Sequence, residues 1–185
     1  RPVTSRRPPS PIADGLRDLA VTLALWVYFT LGFVVGFLPL YLFAWCLPGR
    51  REAGFQRLNH WFYRGFFRLA GWLMPGLSIH VDPAVKGIRG GVVVANHLSY
   101  LDPLLCIALF PRQKTIVKRI FFKVPVFRWF IRTAGYLPAS AEGPGGEDLL
   151  RQLEGMGASF EGGGVLFVFL EGTRSRDGGL NAFHP

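Results

Sequence analysis

The sequence predicts a layered α/β domain, with a mixed sheet flanked by helices, preceded by a membrane-embedded helical segment. Three observations carry this. Residues 19–49 contain no charged side chain. Short β-branched runs alternate with helical patterns from residue 75 onward, the texture of a sheet covered by helices. Polar, reactive residues follow directly after two of those runs. The composition agrees: 185 residues, 50% hydrophobic and 18% charged, with 21 Lys plus Arg against 12 Asp plus Glu and a net charge of +9. Such a chain is too apolar for a disordered basic tail and too poor in charge for an ordinary soluble helical protein. Cys46 and Cys106 lie far apart in apolar runs and suggest no disulfide framework.

Residues 1–15 read as a polar tail. The start at Arg1 and the end at Pro185, after a glycine-rich stretch, read as a chain incomplete at both ends. Residues 16–49 form the apolar segment. As one helix, the charge-free run would measure about 46 Å, more than the ~30 Å hydrocarbon core. Gly32, Gly36 and Pro39 interrupt it, so one tilted or kinked span and a re-entrant hairpin both fit. Gly32 and Gly36 also make a GxxxG pair, a possible helix contact. The run is too long for a signal peptide, and Trp45 stands where a small residue would precede Cys46.

Residues 50–74 read as an amphipathic helix. Phe55, Leu58, Phe62, Phe66, Leu69 and Leu73 recur at spacings of three and four, with Arg57, Arg64 and Arg68 opposite. Beside an apolar run, this pattern suits a membrane interface, with a core-packed helix as the alternative. Arg50, Arg51 and the helix arginines mark the cytoplasmic side.

Residues 75–185 supply the α/β domain. Leu77–Val81 alternates like a short strand. Val92–Ala95 reads as a strand buried on both faces, and residues 103–110 as a helix with Pro103 in its first turn. Lys114–Lys118 reads as a strand, residues 119–132 as an aromatic and basic helix, and Tyr136–Ala139 as a weak strand. Residues 147–160 read as a helix, and Val165–Leu170 as the strongest strand of the chain.

In open α/β folds, ligands collect beyond the carboxyl ends of strands. Asn96, His97, Ser99 and Asp102 follow the first such strand; Glu171, Gly172, Thr173, Arg174 and Ser175 follow the last. A neutral imidazole accepts a proton near pH 7, and a carboxylate on its other nitrogen fixes the tautomer. Five positions along a continuous helix would turn His97 and Asp102 apart, so they can pair only across a bend. Otherwise Asp102 merely caps the helix at Pro103. Arg174 offers a planar fork suited to phosphate, and Gly172 lets backbone N–H groups approach; a charged turn is the alternative. No G-x-S-x-G elbow, H-E-x-x-H pair or Cys/His cluster is present, which argues against that hydrolase design and against a zinc site. Cys106 has no nearby charge to activate it, and His60, His80 and His184 read as structural or surface residues.

Taken together and in this order, NHLSYLD and FLEGTRS resemble the two signature motifs of the glycerolipid, PlsC-type acyltransferase family. The resemblance covers about residues 75–180, and the N-terminal apolar segment fits it too. It implies a membrane-bound enzyme that transfers a fatty acyl group from acyl-CoA or acyl carrier protein to the free hydroxyl of a lysophospholipid. It further implies His97 as general base, Asp102 as its orienting partner, and Glu171, Gly172, Thr173 and Arg174 as the phosphate site. Asn96, Ser99, Ser175, Lys118 and Arg119 would support them, with no metal and no covalent acyl-enzyme. Lys118–Gly135 resembles the family's middle motif. Seven Lys or Arg and no acid lie between residues 112 and 132, among Phe121, Phe122, Phe127, Trp129 and Phe130. That patch suits membrane lipids or donor phosphates, and the apolar run argues against nucleic acid as its partner. Two features depart from the family pattern: Tyr136–Ser140 lacks an acid–arginine pair, and Leu170 replaces the usual proline. 1-Acylglycerol-3-phosphate is therefore the default acceptor, with lyso-ornithine lipid, lysophosphoethanolamine and a non-catalytic lipid-binding role as alternatives. The expected location is the cytoplasmic face of a bacterial inner membrane.

Overall fold

The computed structural model describes residues 11–139, 153–172, 174, 175 and 179. The polar tail through residue 10, the first part of the helix expected at 147–160, and Thr173 lie outside the described residues.

The apolar run is one continuous helical rod, not a hairpin. It comprises α1 (Pro11–Val27), a π-helical stretch (Tyr28–Phe37) and α2 (Leu38–Trp45). Within it, Asp14–Trp45 is the one helix among the described residues that is long and apolar enough to cross a membrane. The glycines at 32 and 36 fall within the π-helical stretch, and Pro39, which has no N–H to donate, sits in the first turn of α2. Among the described residues the GxxxG pair meets no other helix: a Cβ at Gly32 would touch only Tyr28, and one at Gly36 nothing.

The turn at residues 46–50 sends α3 (Arg51–Leu73) back along the rod. Tyr28 and Phe29 pack on Phe62 and Phe66, and Tyr41 and Trp45 on Phe55. Gly65 makes the approach possible, since a Cβ there would collide with the Tyr28 hydroxyl. The apolar stripe of α3 is thus covered by protein: Phe55, Leu58 and Phe62 are buried, while Arg57, Arg64 and Arg68 stay exposed. Sequence periodicity reports an apolar face but not its cover, so the same stripe had suited a membrane interface. A buried polar chain adds direction. The Tyr41 hydroxyl donates to Asn59 Oδ1 (2.5 Å), and Asn59 Nδ2 donates to the Tyr136 hydroxyl (3.1 Å).

A short helix α4 (Pro83–Gly87), started by the Asp82 side chain accepting from Ala84 N–H, leads into β1 (Gly91–Val94). Then follow α5 (Asp102–Leu109), β2 (Gln113–Val117), a 3-10 turn (Arg119–Lys123), α6 (Pro125–Thr133) and β3 (Leu137–Pro138). The last elements are α7 (Gly157–Glu161) and β4 (Val165–Val168). The sheet order is β1-β4-β2-β3, and every pairing among the described strands is parallel, where a mixed sheet was expected. Helical crossovers between successive strands dictate that direction.

On one face of the sheet, Phe167 joins Phe55, Leu58, Ile107 and Ile131 in the main core. On the other, Leu166 meets Leu137 and Met156. β4 is central and buried, as its unbroken apolar run predicts. Among the described strands β1 lies at the sheet edge instead of being buried on both faces: Val92 and Val94 are 56% and 57% exposed. Residues 77–81 form no strand, and Leu77, Ser78, Ile79 and His80 are all exposed.

Candidate active site

Because the strands run parallel, the ends of β1, β4 and β2 open along a single edge of the sheet. Both reactive segments therefore leave the sheet side by side. Asn96 and His97 follow β1, and Glu171 follows β4. Lys118 and Arg119 follow β2 at this edge, exposed and about 10 Å from β1 by strand spacing.

The chain bends between β1 and α5, and the bend brings His97 and Asp102 together. His97 Nδ1 lies 3.2 Å from Asp102 Oδ2. The same oxygen accepts the backbone N–H of Leu98 (2.6 Å) and of Ser99 (2.7 Å). Ser99 Oγ in turn accepts from Leu101 N–H, closing the loop on itself. Asp102 is therefore no simple helix cap: it is the first residue of α5, and its carboxylate is turned back into the loop. With Nδ1 directed at this carboxylate, the Nδ1–H tautomer is favoured and Nε2 is left as the basic nitrogen. Phe169 lies against the imidazole, ring centroids 4.6 Å apart and planes 31° apart.

The second loop braces the first from both sides of His97. Glu171 Oε1 accepts the His97 N–H at 3.2 Å, and Ser175 N–H donates to the His97 carbonyl at 2.8 Å. Glu171 is only 1% exposed and Ser175 is also buried. Gly172 turns the chain between them at φ +61°, in the left-handed region that glycine enters without strain. Arg174 reaches back over the first loop, its guanidinium carbon 3.4 Å from the centre of the Tyr100 ring.

Of the predicted site residues, His97, Ser99, Asp102, Glu171 and Ser175 share one hydrogen-bond network, with Gly172 as its turn and Arg174 at its rim. Glu171, expected in the phosphate motif, is buried and holds the backbone of His97. Asn96 is exposed at the end of the strand. Tyr100 and Phe169 escaped the sequence reading, because an aromatic among apolar neighbours carries no spacing rule that marks it. Cys106, one turn beyond Asp102, has its thiol pushed up to about 11 by burial and by the Asp102 charge, so it stays a protonated, unreactive thiol. Among the described residues, no cluster of three or more His, Cys, Asp or Glu side chains could hold a metal ion.

The family model described as Acyltransferase matches residues 76–185, more than half of the chain and all of this site. The chain belongs to the acyltransferase family. Two curated members resemble it over 93 residues: the chloroplastic 1-acyl-sn-glycerol-3-phosphate acyltransferases of Brassica napus (34% identical) and Arabidopsis thaliana (33%). In both cases the match covers 50% of this chain but only 26% and 25% of the relative, about a quarter of its length. The crystal structure of the family member PlsC, the 1-acyl-sn-glycerophosphate acyltransferase of Thermotoga maritima, shares the fold. The TM-score is 0.61 at 24% identity, over 91% of this chain and 66% of that one.

Proposed function

We propose that this protein is a membrane-bound O-acyltransferase. It moves a fatty acyl group from acyl-CoA or acyl carrier protein to the free hydroxyl of a lysophospholipid, with 1-acylglycerol 3-phosphate as acceptor and phosphatidic acid as product. The carrying observation is the His97–Asp102 pair, 3.2 Å apart in a loop that the Glu171–Ser175 segment braces. The activity named for the two plant relatives supports the choice of acceptor.

In this reading His97 Nε2 takes the proton of the acceptor hydroxyl while Asp102 stabilises the imidazolium that forms. The hydroxyl oxygen bonds to the thioester carbonyl carbon, the C–S bond breaks, and the departing thiolate takes the proton back from His97. A positioned base of this kind contributes about 10²–10⁴-fold. Arg174 binds the acceptor phosphate within the Glu171, Gly172, Thr173 and Arg174 motif, and Lys118 and Arg119 at the same sheet edge attract the anionic groups of acceptor or donor. The helix Asp14–Trp45 lies in the membrane. Ile120, Phe121, Val124, Val126 and Phe127, exposed among Lys and Arg side chains, suit contact with the anionic lipid surface. The arginine flanks favour the cytoplasmic face of a bacterial inner membrane.

The test is acyl transfer by the reconstituted chain from labelled acyl-CoA or acyl carrier protein to lysophosphatidic acid, lysophosphoethanolamine and lyso-ornithine lipid in parallel. Transfer to lysophosphatidic acid, lowered by about 10²–10⁴-fold in His97→Ala, is the expected result. Full turnover by that variant would overturn the mechanism, and preference for another lysolipid would overturn the acceptor.

A further inference from the structure

We infer that Tyr100 is a positioning residue for the phosphate-binding arginine, and through it a determinant of acceptor affinity. The inference rests on the reading of Arg174 as phosphate ligand. Tyr100 is 74% exposed, so burial does not explain an aromatic ring at this place. Its neighbours are fixed: Leu98 N–H and Ser99 N–H donate to Asp102, and Leu101 N–H donates to Ser99 Oγ. The ring therefore stands on the loop that carries the His97–Asp102 pair, while Arg174 comes from the other loop.

A separation of 3.4 Å between the guanidinium carbon and the ring centre is possible only face to face. An edge-on approach would place N–H groups in between and hold the carbon farther away. Face-on stacking occupies the flat side of the guanidinium and leaves its in-plane N–H donors available for phosphate oxygens. A long arginine side chain otherwise loses much of its freedom when it grips a ligand. Stacked on Tyr100, it has lost part of that freedom already, and its donors are held at a fixed offset from His97. The aromatic ring supplies this effect, and the hydroxyl is not needed for it.

The experiment compares wild type, Tyr100→Ala and Tyr100→Phe in the full chain, reconstituted with acyl-CoA and lysophosphatidic acid. Tyr100→Ala should raise KM for lysophosphatidic acid roughly three- to fivefold, the scale of an exposed cation–π contact, with kcat and the acyl-CoA KM unchanged. Tyr100→Phe should restore the low KM, and Tyr100→Ala should add nothing in an Arg174→Ala background. Equilibrium binding of lysophosphatidic acid to the same proteins in detergent micelles reads the same ratio without turnover. A fall in kcat alone, an equal defect in Tyr100→Phe, or additivity with Arg174→Ala would overturn the inference. If Arg174→Ala itself leaves acceptor affinity unchanged, the phosphate reading fails. If Arg174→Ala weakens affinity and Tyr100→Ala does not, only the role of Tyr100 fails.

Discussion

The two loops of the site leave neighbouring parallel strands, yet they stand on different foundations. The His97 loop grows from β1, an edge strand with exposed valines, and owes its shape to one carboxylate that gathers the imidazole and two backbone N–H groups. The Glu171 loop grows from β4, the central strand, whose Phe167 is fully buried. His97 thus sits on the less supported strand and borrows rigidity from the better one, through Glu171 and Ser175. Local hydrogen bonds can replace burial as the source of precision at a site, provided that a neighbouring element lends its stability.

That contrast can be broken in graded steps. His97→Ala should lower kcat by about 10²–10⁴-fold while leaving the fold intact, measured by acyl transfer and thermal unfolding of the same preparation. Phe167→Ala attacks the foundation of the second loop and should cost about 3–5 kcal/mol of stability, read from denaturant unfolding. Glu171→Ala removes the brace itself. A lost hydrogen bond to a charged acceptor predicts a cost of about 1.5–3 kcal/mol, and kcat should fall more than the KM for the acceptor rises.

A smaller effect sharpens the picture on the α3 side. His60 is buried with Nδ1 3.2 Å from the Ile107 carbonyl, and burial lowers its pKa below the usual 6.5. The unfolded chain therefore binds the proton more readily, so stability is full above pH 6.5 and declines as pH falls through the window beneath it. Unfolding midpoints between pH 7.5 and 5 should show this slope, flattened in His60→Gln. The smallest effect belongs to β1: Val94→Thr, at an exposed position, should change stability by no more than about 0.5 kcal/mol, against the large loss at Phe167.

The sequence disclosed the His97–Asp102 pairing better than the cover of the helices and strands. His97 and Asp102 were legible as a pair conditional on a bend, and the bend exists because Asp102 draws the N–H groups of Leu98 and Ser99 inward. The Val165–Val168 strand was legible because a strand covered on both faces is apolar without alternation. The surroundings of Val92 and Val94 were not, since an exposed edge valine and a buried one look alike in sequence. The partners of α3 were likewise hidden: its period fixes a face, while protein and lipid are equally apolar covers. Glu171 was legible as part of the motif that holds Arg174. Only the fold shows its carboxylate turned toward the backbone of the other loop.

The buried Tyr41–Asn59–Tyr136 chain has a mechanical consequence. It links the rod, α3 and the start of β3, and Gln56 Nε2 donating to the Ala134 carbonyl reinforces the link. Sliding the rod by one helical turn would strand the Tyr41 hydroxyl and Asn59 Oδ1 without partners inside the core, at a cost of about 1–3 kcal/mol each. The rod and the sheet therefore move as one piece. For a chain whose rod lies in a bilayer, the depth at which the rod floats sets the height of His97 above the lipid surface. In the proposed membrane-bound enzyme, bilayer thickness would adjust how readily His97 meets the acceptor hydroxyl.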